Sequence, residues 1–184
     1  MRRRNFLASL PAAAWMLWNA PNGFAAARTA SVAELQRDWQ KLLAPGAEVA
    51  LSVEPLNKSD AEWKKSLDAV QFNVLRQEGT ERPFSSPLND EKRPGIFVCA
   101  ACTLPLFSSA MKFDSGTGWP SFFTLIPDHL GTKQDYKLIV ARTEYHCARC
   151  GGHQGHVFDD GPQPTGLRYC NNGVALRFIP LRRA

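Results

Sequence analysis

The chain has 184 residues, 44% of them hydrophobic, which suits one globular domain with its own core and excludes two large ones. Its net charge of +5 is partly local: residues 1–27 hold three arginines and no acid, leaving 19 basic against 17 acidic residues elsewhere. There is no basic stripe of the kind nucleic-acid binders carry, no apolar run of 18 residues, no internal repeat and no low-complexity tract.

The chain opens MRRRNFLASLPAAAWMLWNAPNGFAAARTA. Positive charge comes first. An apolar stretch from Phe6 to Trp18 follows, too short to span a bilayer, and small residues end it, with Ala25-Ala26-Ala27 as an A-x-A cleavage site. Arg3-Arg4-Asn5-Phe6-Leu7 resembles the bacterial twin-arginine export signal. Arg2 stands where that signal usually has Ser or Thr, and Ala8 where it usually has Lys, so ordinary secretion and an anchoring amphipathic helix stay open. The expectation is a signal peptide over 1–27 and a mature protein starting near Arg28. That protein would sit in the periplasm with no stable membrane association.

Two helices are expected next. Ser31-Val32-Ala33-Glu34 is a capping box, and Val32, Leu35, Trp39, Leu42 and Leu43 recur at helical spacing until Ala44-Pro45-Gly46. Ser59-Asp60-Ala61-Glu62 is a second capping box leading into Trp63 and Leu67. A short third helix is expected around Ala69 to Arg76. Residues 28–58 read as a helical flank and 59–181 as the main domain.

After Gly79 turn residues multiply and the apolar runs become short and rich in β-formers. Strands are expected at Gly95–Cys99, Leu106–Ser108, Lys112–Asp114, Lys137–His146, His156–Phe158 and Leu167–Ile179. The fold class is therefore mainly β (α+β), an antiparallel β core behind N-terminal flanking helices.

Cys99-Ala100-Ala101-Cys102 and Cys147-Ala148-Arg149-Cys150 are two C-x-x-C knuckles. Thiolates at i and i+3 across a tight turn can point at one ion, and two such turns make a tetrahedral four-cysteine zinc site. One structural Zn2+ per chain is the expectation. Four thiolates leave no open position for water, which argues against catalytic zinc. Two disulfides are the alternative in an oxidising compartment. Export in the folded state would favour zinc, loaded in the cytosol and buried before any oxidant is met.

Cys170 in LRYCNNGVALRF is left over. On a strand, side chains at i−2, i and i+2 share a face, so Arg168, Cys170 and Asn172 would project together. A guanidinium favours the thiolate, and Asn172 adds an amide donor. The Asn171-Asn172-Gly173 run could bulge the strand and spoil this alternation. In GGHQGHVFDDGPQPTG, His153 and His156 become candidate proton donors beside a reactive sulfur, and Asp160 could orient one of them. In DSGTGWPSFF, Trp119 sits in a loop between Gly118 and Pro120. Its indole could wall a soft apolar group, a contact worth on the order of 0.3–1.5 kcal/mol for sulfur.

These segments, with VLRQEGTERPFSSPLNDEKRPGIFVCAAC and ALRF, resemble methionine sulfoxide reductase B from about Asp60 to Phe178. The resemblance implies two antiparallel β-sheets with flanking helices, a four-cysteine zinc site, and reduction of the R epimer of methionine sulfoxide, chiefly in proteins. It implies that Cys170 is the nucleophile and that His153, His156 and Asn172 bind and protonate the sulfoxide oxygen. Arg168 would tune the thiolate, Trp119 and Phe122 would bind substrate, and Asp160 would support these groups from behind. Gln154 stands where the family commonly has Leu, with little consequence expected. Thr117 stands where many members have the cysteine that resolves the sulfenic acid. An external thiol, from a thioredoxin-like protein or a small molecule, is therefore the expected reductant. Nothing in the sequence suggests more than a monomer. The rival classes are a zinc-knuckle binding module, to which Cys170 would be indifferent, and a thiol peroxidase, which gives Trp119 no purpose.

Overall fold

A computed structural model of the chain describes residues 30–136 and 141–181. The expected leader over 1–27 and the first half of the strand expected at Lys137–His146 lie outside them. Among the described residues no helix is long and apolar enough to cross a membrane.

Both capping boxes form. Helix α1, Val32–Arg37, starts on Ser31, whose N–H donates to the Glu34 carboxylate at 2.7 Å. Helix α2, Asp60–Ser66, starts on Ser59, whose N–H donates to Glu62 at 2.8 Å. Each such cap is worth about 1 kcal/mol. Helix α3, Ala69–Gln77, starts on Asp68, which accepts from the N–H groups of Val70 and Gln71. It buries Phe72, Val74 and Leu75.

The first helix does not run on to Leu43. It ends at Arg37 and tightens into a 3-10 turn over Trp39–Leu42, which sets the buried Trp39 ring edge-on to His129 at 5.8 Å. The rest of the described flank forms neither helix nor strand. It straps both C-x-x-C turns: the Ala50 N–H donates to Thr103 O, and the Leu56 N–H to Arg149 O.

Among the described residues nine strands follow: β1 Gly95–Cys99, β2 Pro105–Ser108, β3 Lys112–Phe113, β4 Ser121–Phe122, β5 Leu130–Asp135, β6 Arg142–Cys147, β7 His153–Phe158, β8 Arg168–Asn171 and β9 Leu176–Pro180. They make two antiparallel sheets, a three-stranded one in the order β2-β1-β9 and a six-stranded one in the order β3-β4-β8-β7-β6-β5. The core is aromatic. Phe107 of β2 stacks on Phe122 of β4 at 4.0 Å, and Phe97 of β1 meets Phe122 edge-on at 5.0 Å. All three rings are fully buried, each worth about 1.5–3 kcal/mol relative to exposure.

The long strand expected at Leu167–Ile179 is two strands in two sheets. A 3-10 turn at Gly173–Ala175 parts them, because the Glu81 carboxylate takes the N–H groups of Gly173 and Val174 that a continuing ladder would use. The glycine-rich segment before His156 is already strand. Gly155 is required there, since a Cβ at that position would lie 1.9 Å from Cys170 O.

Candidate active site and metal centre

Strand pairing builds the site from a single row of side chains. Glu144 of β6 pairs with His156 of β7, His156 pairs with Cys170 of β8, and Cys170 pairs with Ser121 of β4. Residues paired this way share a sheet face with Cβ atoms about 4.5–5.5 Å apart. Cys170 is half-buried. It opens on a pocket of about 110 Å³ lined by Thr80, Trp119, Arg142, His156 and Asn172 among others. Sites that engulf a whole small ligand run to roughly 300–1,000 Å³, so this pocket has room only for a small group such as the end of a side chain.

The structure brings most of the expected site residues together. Asn172 lies one residue past the end of β8, so strict alternation fails there, yet it still lines the pocket. Its Oδ1 accepts from Glu81 N–H at 3.1 Å and its Nδ2 donates to Gln154 O at 3.0 Å, which leaves a second Nδ2 hydrogen for the pocket. His153 is 2% exposed and does not line the pocket. It lies edge-on to His156 at 5.4 Å.

Two expectations are corrected. Asp160 orients no histidine: it forms a two-pronged pair with Arg168 at 2.7 and 2.8 Å, and the guanidinium lies over the Phe158 ring at 4.4 Å. Phe122 is not a substrate wall: its side chain points into the core, stacked on Phe107 and fully buried.

The carboxylates that hold the histidines are an addition from the structure. Asp135 Oδ2 accepts from Arg142 at 2.6 Å and pairs with His156 Nε2 at 2.7 Å. Glu144 pairs with His153 Nδ1 at 2.7 Å and His146 Nδ1 at 3.1 Å. Burial works against ionising Glu144, but the hydrogen bonds from His146 and His153 hold its carboxyl down to about 2. The sequence signal for Glu144 is alternation in RTEYHC, which puts it on one strand face with Arg142 and His146. Burial lowers the His156 pKa, opposed by the hydrogen bond to Asp135 and helped by nearby Arg142, which favours the neutral ring. With Nε2–H donated to Asp135, its Nδ1 is the remaining acceptor.

Burial also pushes the Cys170 thiol up, against the pull of Arg168 and of a hydrogen bond with Thr117. The guanidinium therefore moderates the desolvation of this sulfur without making it a standing thiolate. The Thr117 hydroxyl meets Ser115 Oγ at 2.8 Å, which in turn meets Ser121 Oγ at 2.8 Å.

The other four cysteines converge at the junction of the two sheets. Cys99 ends β1 and Cys147 ends β6, and each knuckle closes with a turn, Thr103 N–H to Cys99 O and Gly151 N–H to Cys147 O, both 2.9 Å. The residue after each knuckle is left-handed, Thr103 at φ 60° and Gly151 at φ 67°. The four Sγ atoms lie within 4.8 Å of one another, all are buried, and none is in a disulfide. The shortest separations are 3.5 and 3.7 Å. Sulfurs about 2.3 Å from a central tetrahedral ion stand about 3.8 Å apart, so the cluster fits a four-coordinate metal.

A family model described as the SelR domain matches residues 67–180. The peptide methionine sulfoxide reductase MsrB of Methanosarcina barkeri is 55% identical over 124 residues, 67% of this chain and 87% of that one. The chain belongs to the SelR, or MsrB, family. The MsrB of Agrobacterium fabrum is 50% identical over 127 residues, covering 68% of this chain and 94% of its own. That of Pseudomonas fluorescens strain Pf-5 is 50% identical over 129 residues, covering 70% and 99%. The Mis18 'Yippee-like' domain overlays half of the chain at 17% identity with a TM-score of 0.39, too slight a likeness to carry a shared fold.

Gln154 links the four-cysteine cluster to the strand that carries Cys170. It is fully buried, and its Nε2 lies 3.5 Å from Cys99 Sγ while its Oε1 accepts from Asn171 Nδ2 at 3.3 Å. An N–H aimed at a metal-binding sulfur stabilises the thiolate, and such supporting contacts are worth about 10–100-fold in metal affinity. Gln154→Leu should therefore release metal to a competing chelator about tenfold faster, read by the absorbance of a chromogenic chelator. An unchanged release rate would leave the amide with no part in holding the metal.

Proposed function

We propose that the protein reduces the R epimer of methionine sulfoxide in polypeptides to methionine, with Cys170 as the oxygen acceptor. The observation that carries this reading is the placement of the one cysteine outside the metal cluster. It opens on a side-chain-sized pocket with Trp119 on one wall and His156 across the strand.

The chemistry needs a sulfur nucleophile, a proton on the sulfoxide oxygen and an apolar seat for the methyl group. Burial keeps Cys170 protonated at rest, so the thiol brings the proton the oxygen requires. His156 Nδ1 takes it as sulfur attacks sulfur, then returns it to the oxygen; the sulfur–sulfur bond made in that attack is transient and breaks again as the oxygen passes to Cys170. The remaining Nδ2 hydrogen of Asn172 steadies that oxygen, and the Trp119 ring seats the methyl. The sulfoxide S–O bond breaks, an S–O bond to Cys170 forms, methionine leaves with two more electrons, and Cys170 becomes a sulfenic acid. Fixing the methyl on one side and the oxygen on the other leaves one direction for the peptide chain, which selects one epimer.

Regeneration falls to an external thiol. It displaces water from the sulfenic acid to give a mixed disulfide, and a second thiol frees Cys170. The Thr117 side chain lies close enough to Cys170 to pull its thiol pKa down, so Thr117→Cys places a resolving thiol near it. That variant should form an intramolecular disulfide and turn over with thioredoxin several-fold faster, whereas the wild type should accumulate a sulfenic acid that dimedone traps. An intramolecular disulfide at Cys170 in the wild type would refute the one-cysteine cycle.

The thiolate-only donor set supports zinc as the ion of the four-cysteine cluster and a structural role for it. The twin-arginine-like leader supports work in the periplasm, on exported proteins carrying oxidised methionine. The function is tested by assaying the domain on each methionine sulfoxide epimer with dithiothreitol as reductant. Turnover of the R epimer alone supports the reading; turnover of peroxide in preference to either epimer would replace it with a thiol peroxidase.

A further inference from the structure

One buried acid takes no part in the chemistry above, yet it touches three parts of the site. The Glu81 N–H donates to Asn172 Oδ1 at 3.1 Å, and Glu81 O accepts from Trp119 Nε1–H at 3.2 Å. The Glu81 carboxylate accepts from Gly173 N–H at 2.5 Å and Val174 N–H at 2.9 Å. The residue is 7% exposed. Burial raises its carboxyl pKa, opposed by those two N–H groups, and among the described residues no cation pairs with it. Burying an acid without a counter-charge is costly, and a hydroxyl or amide would cap a turn at lower cost.

We infer that Glu81 is a positioning residue that fixes the methyl wall and the oxygen donor to one anchor; this rests on the functional reading above. Its carboxylate ties the segment at residue 81 to the turn that follows Asn172. Through its backbone the same residue grips the Trp119 indole and the Asn172 amide. The bond to Asn172 Oδ1 sets which way that amide faces. With Oδ1 engaged, Nδ2 is turned toward Gln154 O and the pocket; with it released, the amide can flip and present an acceptor to an oxygen that needs a donor. The turn has no slack to absorb a shift, since a Cβ at Gly173 would lie 1.9 Å from Ser86 Oγ and 3.1 Å from Glu81 Oε1.

The test compares Glu81→Ala and Glu81→Gln with the wild type, measuring kcat, KM for the R sulfoxide, the rate of Cys170 alkylation by iodoacetamide, and Tm. Glu81→Ala should lower kcat/KM about 100-fold, the scale of a roughly 1 Å misplacement, with KM rising. Glu81→Gln, which keeps one acceptor, should fall between it and the wild type. Alkylation should stay within about twofold, because Glu81 touches nothing that acts on the thiol. Lowered Tm with wild-type kinetic constants would overturn the inference, as would alkylation falling in step with kcat/KM, which marks general disruption. If the alanine variant fails to fold, the glutamine variant decides: wild-type constants in it overturn the inference. A wild type that reduces no sulfoxide would instead sink the functional reading.

Discussion

Replacing Cys170 with serine should abolish sulfoxide reduction, by on the order of 10^4-fold or more, and leave the metal bound. Loss of a covalent nucleophile has effects of that size or larger in other enzymes. Serine fits the space and keeps the strand pairing with His156 and Ser121. Its oxygen, however, cannot accept a second oxygen as sulfur does, so the sulfenic acid has no counterpart. The four remaining thiols sit in their own buried cluster and cannot substitute. The thiol's resting state makes a further distinction. Because burial pushes Cys170 up despite Arg168, iodoacetamide should modify it slowly at neutral pH and faster as pH rises past the ordinary thiol range. Fast alkylation at neutral pH would mean that the guanidinium outweighs desolvation after all. Metal content, fold and Tm of Cys170→Ser should match the wild type, which separates lost chemistry from lost structure.

Removing the metal should unfold the domain. Cys99 belongs to the three-stranded sheet and Cys147 to the six-stranded one, so an ion held by the cluster would join the two halves of the core at their edge. Structural zinc in small domains contributes on the order of 10 kcal/mol of apparent folding free energy, comparable with the whole stability of about 5–15 kcal/mol expected for a domain this size. Without the ion, four sulfurs within 4.8 Å of one another cannot all ionise; the neighbouring thiols and full burial push Cys99 well up. Cys102→Ser, or prolonged chelation, should cost the protein its cooperative thermal transition or lower Tm by well over about 10 °C. The damage should reach the pocket as well, since Gln154 spans from Cys99 Sγ to Asn171 beside Cys170. Metal content by atomic absorption and thermal denaturation by circular dichroism check this. Resistance to chelators combined with sensitivity to dithiothreitol would restore the disulfide alternative.

Much of this site is legible in sequence because its chemistry is spelled in short local motifs. The two C-x-x-C turns, the lone Cys170 and the paired histidines announce themselves by residue type and spacing, and the capping boxes at Ser31 and Ser59 fix helix starts within a single turn. What is not legible depends on partners far away in sequence. Asp135 and Glu144 hold His156 and His153 from neighbouring strands, while Asp160, close to them in sequence, turns to Arg168. Phe122 sits three residues from Trp119, but strand alternation and a fully buried partner, Phe107, send it into the core. The split of Leu167–Ile179 into two strands is imposed by Glu81, 92 residues before Gly173. Strand β4 has only two residues, and β5 is a polar edge strand, so neither carries the alternating apolar pattern that marks a strand in sequence. Local spacing thus names the reactive groups, and long-range hydrogen bonds decide how they are held.

The most direct measurement is a single turnover without reductant. Reduced protein is mixed with a slight excess of a peptide carrying the R sulfoxide, and both the methionine formed and the dimedone adducts are quantified by mass spectrometry. One equivalent of methionine per chain, with the adduct confined to Cys170 and zinc retained, is the result this account predicts. Methionine formed without any modification of Cys170, or an equal burst from the S epimer, would contradict it.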